Sequence, residues 1–438
     1  MHPHKPFSRR GFMKTGLVLP VAGLPLAGLI EAPLSGAPSL QRSAGIYQRL
    51  GIRVSINAVG TLTTLGGTLI PAEVIRAMED ASKNFVPIHE LQEKVEQRLV
   101  ELTGAGGAFV TAGASAALCL ATCAVTAGDD RQKMRQLPDL TGMKSEIIIQ
   151  KIHRTAYDHA FRMVGVKLID VETPEEMQRA ITRNTAAIAF VMSHHTLGGK
   201  EPLDATVDMS LGFEDRYVLG PHGRVSLEET LEISHRANLP VILDAAAEIP
   251  PPENLSKFVK MGVDLVAFSG GKNLRGPQCS GLLLGRKDLV AKAYAHSAPN
   301  DYLPRIAKVG KEEIVGLLTA VELALQRDWK AERRAWYATL QRVTERLSDV
   351  PTVRTEFVTN NDYSHTPRLS VQWDEARLGA TVEQMTQRLR TGEPSIVASD
   401  MRRFTPPSKG LGIFPYNLLP GEEMVVADRV REILTKKT

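Results

Sequence analysis

Cysteine is scarce in this chain of 438 residues, with Cys119, Cys123 and Cys279 its only three. That number builds no disulfide framework, and no Cys-x-x-Cys pair is present for a structural metal. The 11 histidines are scattered without metal-ligand spacing, so no metal is expected. An excess of one charge is lacking too. The 53 basic and 49 acidic residues leave a net charge of +4, too even for a nucleic-acid partner, which needs a clustered basic stripe. There are no internal repeats. Two nucleotide motifs also fail. Gly104-Ala105-Gly106-Gly107-Ala108-Phe109 lacks the last glycine of a dinucleotide fingerprint and precedes a strand. Gly270-Gly271-Lys272-Asn273 lacks the Ser/Thr and the upstream glycine of a P-loop.

What is present is an alternation of strands and helices. Residues 52–70 read as extended or loop, broken by Gly60, Gly66 and Gly67. Pro71 starts a helix, where its missing N–H costs nothing. Leu91, Val95, Leu99 and Leu102 recur at helical spacing. Strands are predicted at 108–111, 146–150, 166–170, 186–192, 241–243, 265–268 and 281–285. Helices are predicted at 115–125, around 157–164, at 174–181 and at 226–237, the last opened by a Ser226/Glu229 capping box. One long helix is predicted over 312–329, then strand, strand and helix at 353–358, 368–373 and 382–389. Apolar strands interleaved with helices mean an α/β fold with a sheet buried on both faces. Cys119 and Cys123 lie four apart in the Ala-rich helix and read as buried small hydrophobes. Cys279 reads as a packing residue rather than a reactive thiol.

The chemistry concentrates at two strand ends. Asp244 closes Val241-Ile242-Leu243, and Lys272 follows Phe268-Ser269-Gly270-Gly271, 28 residues later. This layout suits pyridoxal 5'-phosphate (PLP). A lysine joins the cofactor aldehyde, and a carboxylate facing the pyridine nitrogen favours its protonated, electron-withdrawing form. Thr111-Ala112-Gly113-Ala114-Ser115 is a strand–turn–helix passage. Gly113, Ala114 and Ser115 would place small residues, free N–H groups and a hydroxyl against the cofactor phosphate, and Ser269 would add a second hydroxyl. His153 follows the strand 146–150 at its carboxyl end, where open α/β sheets build ligand sites. It is the first choice to stack on the pyridine, with Tyr157 second, and a capping or core role is open for either. Arg275 offers fixed charge for phosphate or carboxylate, or else a plain ion pair. Of the adjacent pair His194 and His195, which point opposite ways on extended chain, His195 is taken to face substrate.

With these residues in hand, the chain resembles the selenocysteine-synthase-like (L-seryl-tRNA selenium transferase) branch of fold-type-I PLP enzymes. Within it, the D-glucosaminate-6-phosphate ammonia-lyase group is most similar. The matching stretches run in order over roughly residues 45–290: Ile56-Asn57-Ala58-Val59-Gly60-Thr61, Leu65-Gly66-Gly67, His89-Glu90-Leu91-Gln92, Thr111 to Ala116, His153 to His159, and Ser269-Gly270-Gly271-Lys272-Asn273-Leu274-Arg275-Gly276-Pro277-Gln278. The resemblance implies a large domain with a seven-stranded, mostly parallel sheet, a small C-terminal domain, and a site at a homodimer interface. It makes Lys272 the cofactor lysine, Asp244 its ring partner, and Asn57 and Arg390 candidates for holding substrate. Residues 45–305 are expected to form the large domain with an N-terminal arm, and 306–438 a linking helix and the small domain.

The N-terminal residues read as a targeting segment. Ser8-Arg9-Arg10-Gly11-Phe12-Met13-Lys14 matches the twin-arginine pattern, and Thr15 to Ile30 follow uncharged, too short for a confident span. A signal over 1–37, cut after Ser35-Gly36-Ala37, would send the protein folded to the periplasm. An uncleaved anchor is the alternative. Folded export suits an enzyme that takes up its cofactor in the cytosol. It also removes the chain from charged tRNA and makes a phosphorylated sugar an unexpected substrate. The expected activity is therefore a PLP-dependent lyase acting by α,β-elimination on an amino acid or amino-sugar acid. A racemase or aminotransferase uses the same residues and is the first rival. An exported binding protein with a relic cofactor fold is the second.

Overall fold

The structure, a computed structural model, describes residues 45–192, 225–359, 366–401 and 409–436. Its strands are β1 (Ser55–Asn57), β2 (Gly107–Thr111), β3 (Glu146–Gln150), β4 (Lys167–Val171), β5 (Thr185–Val191), β6 (Val241–Asp244), β7 (Leu265–Ser269), β8 (Gly281–Gly285), β9 (Arg354–Thr359), β10 (Pro367–Gln372), β11 (Ser395–Val397), β12 (Ser399–Asp400) and β13 (Leu411–Ile413). Seven of them form one sheet in the order β2-β8-β7-β6-β5-β3-β4. Neighbours from β7 through β4 pair parallel, and β8 alone runs antiparallel to both of its partners. This is the expected mostly parallel, seven-stranded α/β architecture.

The strand period of two sorts side chains onto opposite faces. Ile147, Ile149, Ile242 and Leu283 pack into one apolar cluster with the helices Gly113–Thr126 and Lys287–His296. Val241, Leu243, Leu282 and Leu284 pack into another, with the helices Ile88–Thr103, Leu227–Arg236 and Lys311–Gln326. Every residue of β2, β5 and β8 is buried, as a sheet covered on both faces requires. The Ser226/Glu229 capping box forms as read from the sequence.

A second sheet, β12-β13-β10-β9, lies beyond, and β1 pairs parallel with β11. Leu340, Leu369, Met385, Ile413 and Val430 share its core with Ile56 and Ala58 from the start of the chain. The N-terminal segment is thus built into the C-terminal part of the fold.

Several elements differ from the sequence reading. The helix predicted over 312–329 is two helices, Lys311–Gln326 and Trp329–Leu347. Arg327 leaves helical geometry at ψ 134°, and Asp328 opens the second helix by accepting from the Ala331 amide at 2.9 Å. Around 157–164 the chain forms 3-10 turns and then only the short helix His159–Arg162. The C-terminal helix Glu422–Thr435 was not predicted at all.

Candidate active site

β6 and β7 deliver the two central residues to one edge of the sheet. They pair parallel with Asp244 opposite Ala267, and the bond from the Ala245 amide to the Ala267 carbonyl (2.9 Å) extends the ladder one residue further. Asp244 stands at the end of β6, its Oδ1 accepting from the Ala246 amide at 3.0 Å. Ser269 ends β7, and Lys272 lies three residues on.

Backbone bonds fix the lysine loop. The Gly270 amide donates to the Ser280 carbonyl (2.9 Å), the Gly276 amide to Gly270 (2.8 Å), and the Arg275 amide to Lys272 (2.8 Å). Two glycines make this possible. A Cβ on Gly271 would lie 2.6 Å from the Gln278 backbone, and one on Gly270 would lie 2.1 Å from the Ser280 hydroxyl. The Lys272 amine sits in a sequestered, half-buried position. Desolvation by burial pushes its pKa below the usual lysine range, while the charges of Asp244 and Glu248 oppose that shift. Glu248 is buried at 3% exposure. The sequence reading missed it; the signal was a second acid four residues after Asp244 in Asp244-Ala245-Ala246-Ala247-Glu248.

The proposed phosphate turn lies on the same edge. The helix Gly113–Thr126 begins at Gly113 (φ +85°) with no side chain capping its first amides. Its start lies directly against β8, where a Cβ on Gly281 would sit 2.3 Å from the Gly113 carbonyl carbon. Gly113 and Ala114 are half-buried and Ser115 is exposed. Uncapped amides, Ser269 and a half-buried amine within the influence of a carboxylate fit what PLP requires of its phosphate, aldehyde and ring nitrogen.

The other predicted residues are spread more widely. His153 is fully buried, its ring 4.4 Å from that of Phe190, and its Nδ1 accepts from the Val191 amide at 3.4 Å. Since Val191 pairs with Asp244 in the sheet, His153 is anchored one strand away from the aspartate. Tyr157 is exposed. The stretch around it serves an ion network, in which Arg154 (2.7 Å) and Arg162 (2.9 Å) both hold the buried Asp158. Asn57 spends its amide on its own turn, donating to the Gly60 carbonyl (2.9 Å) and accepting from the Val59 and Gly60 amides (3.1 Å each). Arg275 pairs with Glu332. Arg390 is exposed at the end of the helix Val382–Thr391, lining a cavity of about 450 Å³ with Arg53, Thr64 and Leu65. His195 lies outside the described residues. Cys279 is exposed rather than packed, and partial desolvation of its thiol together with the nearby Glu313 raises its pKa.

Arg368 is a buried charge that the sequence reading did not single out. It is a buried arginine in the apolar strand β10, with its guanidinium 5.8 Å from the Phe414 ring. The Phe414 amide donates to the Ala58 carbonyl at 2.9 Å, and Tyr416 reaches the space left open by Gly60. Asn417 donates to the Gly67 carbonyl at 3.1 Å, and Gly67 packs on Gly271. The 57–67 segment therefore bridges the C-terminal sheet and the lysine loop. Among the described residues, no group of three His, Cys, Asp or Glu is placed to hold a metal.

The chain's similarities agree with this geometry. Residues 209–401 match the family model SelA, L-seryl-tRNA selenium transferase. D-glucosaminate-6-phosphate ammonia lyase of Salmonella typhimurium (strain 14028s / SGSC 2262) is 30% identical over 397 residues, covering 89% of this chain and 97% of its own. A 5'-C-glycyluridine monooxygenase-decarboxylase of a Streptomyces species is 32% identical over 404 residues, covering 89% and 92%. A solved structure of D-glucosaminate-6-phosphate ammonia-lyase superposes with a TM-score of 0.74 at 29% identity, over 90% of this chain and 99% of the other. The architecture is that of fold-type-I PLP-dependent enzymes, and the chain belongs to the SelA-like family, together with the D-glucosaminate-6-phosphate ammonia lyase it resembles along its length.

Proposed function

We propose that this enzyme is a PLP-dependent ammonia-lyase that eliminates a β-hydroxyl from an unphosphorylated amino acid or amino-sugar acid. The observation that carries the reading is the half-buried Lys272 amine, depressed in basicity, beside Asp244 at the carboxyl edge of the sheet. The relative named as an ammonia lyase supports the elimination chemistry.

Lys272 would hold PLP covalently, Asp244 would keep a proton on its ring nitrogen, and Gly113, Ala114, Ser115 and Ser269 would hold its phosphate. Bound there, the cofactor supplies an electron sink for the carbon next to the substrate nitrogen. Freed from the cofactor when the substrate amine takes its place, Lys272 would be the base for the α-proton, and its burial favours the neutral amine that this role needs. Lys272 would then return that proton to the departing β-hydroxyl, which leaves as water. Return of the Lys272 amine to the cofactor would release the product as an enamine, which water hydrolyses to a keto acid and ammonia. The buried Arg368 is a stronger candidate for the substrate carboxylate than the exposed Arg390.

We further propose that the protein works as a homodimer or higher homo-oligomer. Residues 46–86 expose an unusual share of large apolar side chains, among them Leu62, Leu69, Ile75 and a wholly exposed Phe85. Residues 1–37 are proposed as a twin-arginine signal that delivers the folded enzyme to the periplasm. Among the described residues, no helix is long and apolar enough to cross a membrane.

Borohydride reduction with PLP, followed by peptide mass spectrometry, should place the adduct on Lys272; an unmodified Lys272 would reject the proposal. A panel of β-hydroxy amino acids should then release ammonia. The Streptomyces relative favours a second reading, oxidative decarboxylation, and oxygen uptake with carbon dioxide release would select it. Deuterium wash-out without ammonia would instead indicate a racemase, and keto/amino exchange an aminotransferase.

A further inference from the structure

The turn at 57–60 holds one glycine still. Asn57 donates to the Gly60 carbonyl (2.9 Å) and accepts from the Gly60 amide (3.1 Å), so both backbone groups of that residue are fixed. Gly60 stands at φ +100°, and a Cβ there would lie 2.6 Å from the Tyr416 hydroxyl oxygen and 3.1 Å from its ring. Tyr416 thus needs a glycine at this place. Its ring already has two aromatic neighbours, Trp336 and Phe414, each at 5.9 Å. A phenylalanine would make the same ring contacts, and the hydroxyl forms no hydrogen bond with a described residue. The oxygen is what the packing leaves unexplained, since a shielded tyrosine hydroxyl ordinarily finds a partner.

Two relationships bring that oxygen close to both ends of the proposed site. Leu369 pairs with Ile413 in the antiparallel β10–β13 ladder, so the next residue, Phe414, comes opposite Arg368, and Tyr416 is the diagonal neighbour beyond it, within reach of a long side chain. The Arg368 guanidinium and the Tyr416 ring accordingly flank the same Phe414 ring, at 5.8 and 5.9 Å. On the other side, the Leu62 amide donates to the Gly60 carbonyl and the Gly67 amide to the Leu62 carbonyl, both at 3.0 Å. The Gly60 carbonyl and the Gly67 amide are then at most roughly 10 Å apart, and Gly67 packs on Gly271, next to Lys272. We propose that the Tyr416 hydroxyl recognises the carboxylate end of the substrate, donating to it beside Arg368, and that Asn57 is the positioning residue that keeps Gly60 where the hydroxyl can stand. The inference rests on the reading of Lys272 as the cofactor lysine and of Arg368 as the cation for the substrate carboxylate. A carboxylate offers about four acceptor positions, of which one guanidinium fork takes two, so a phenol beside Arg368 has an acceptor to meet. Desolvation holds the Tyr416 pKa above the ordinary tyrosine range, against the opposing charge of Arg368, so the phenol keeps at neutral pH the proton it donates.

The test uses the full-length protein freed of cofactor and two kinds of stable ligand that share the cofactor half. One is phosphopyridoxyl-serine, in its L and D forms; the other is phosphopyridoxyl-ethanolamine, which lacks only the carboxylate. Fluorescence titration gives the affinities. Tyr416→Phe should weaken the better-bound serine ligand at least about tenfold and leave the ethanolamine ligand within about twofold of the native value. Asn57→Ala should lose the same selectivity for the carboxylate, and Asn57→Ser, whose hydroxyl can accept from the same amides more weakly, should regain part of it. An equal loss of both ligands in Tyr416→Phe would mean that the tyrosine only supports the fold. No loss would mean that its hydroxyl meets only water. Either result overturns the proposal, and an Asn57→Ala protein with native selectivity overturns the role given to Asn57. If neither ligand binds the native chain, the cofactor reading itself fails and takes this proposal with it.

Discussion

Gly281 and Gly113 meet backbone against backbone. A Cβ on Gly281 would lie 2.3 Å from the Gly113 carbonyl carbon and 2.7 Å from the Ala114 nitrogen. No side-chain rotation relieves a contact with main chain. The first residue of β8 therefore sets where the helix carrying the proposed phosphate turn begins. Gly281→Ala should push that turn away, at a cost of about 1–3 kcal/mol in stability and at least about tenfold in PLP affinity. Urea unfolding and fluorescence titration of the cofactor-free protein measure the two. A stability loss with unchanged affinity would disconnect the turn from the cofactor.

Lys272 couples stability to pH. Its pKa in the folded protein lies below the unfolded value near 10.5, because burial disfavours the charge. Between those two values the unfolded chain holds a proton that the folded chain lacks, so stability rises with pH through that window. Below it the penalty is present in full. Cofactor-free Lys272→Met should therefore melt higher than the native protein at pH 7, with the difference shrinking as pH approaches 10.5. Adding PLP should reverse the order. At a hundred times Kd it stabilises the native chain by about 2.7 kcal/mol, and the variant lacks the covalent anchor.

Strand ends were the part of this site most open to sequence reading. Asp244 and Lys272 each follow a short apolar run, and parallel strands in a doubly covered sheet necessarily gather such ends on one edge. Glu248 and Arg368 were less visible. A glutamate in a loop and an arginine in a strand look like surface residues until burial is known. Asn57 shows the opposite case. It falls in a stretch matching the family, but its amide is occupied by the 57–60 turn. The helix Trp329–Leu347 was overlooked because the break at Arg327–Asp328 depends on a side-chain cap rather than on Gly or Pro. The pairing of β1 with β11 joins residues 340 apart (Ser55 with Ser395), a separation that no local pattern reports.

Arg275 is held in a backbone conformation that suits glycine, at φ +61°, which costs an arginine roughly 1–2 kcal/mol. Its guanidinium is bound to Glu332 on the helix Trp329–Leu347, and both side chains are largely shielded. The pair ties the lysine loop to the C-terminal part of the fold, so its loss should exceed that of a surface bridge. Glu332→Gln is expected to destabilise by about 1–3 kcal/mol. Arg275→Gly should cost less, because the lost bond is partly offset by relief of the strained backbone. The double variant should then fall short of additivity by at least about 0.5 kcal/mol. Chemical denaturation of the four proteins checks this, and strict additivity would mean that the two side chains do not cooperate.

The opposite edge of the sheet offers the clearest separation of stability from chemistry. A cleft of about 810 Å³ opens there, lined in part by His235, Asp264 and Arg286, at the start of β7 and the end of β8. It is larger than the 450 Å³ cavity by Arg390, but the strand ends that carry Asp244 and Lys272 point away from it. Its chemistry is self-contained. Asp264, almost wholly buried, accepts from the Val241 amide (2.8 Å), His235 Nε2 (3.1 Å) and Arg286 Nη1 (3.1 Å). Every oxygen of the carboxylate is occupied by a protein donor, so the aspartate anchors the beginnings of β6 and β7 rather than a ligand. Asp264→Asn keeps the shape but turns one acceptor into a donor facing donors. The loss should be about 2–3 kcal/mol in urea, with PLP affinity unchanged in the folded fraction. A variant that unfolded no more easily but bound PLP at least tenfold more weakly would move the functional centre to this edge, against everything inferred from Lys272.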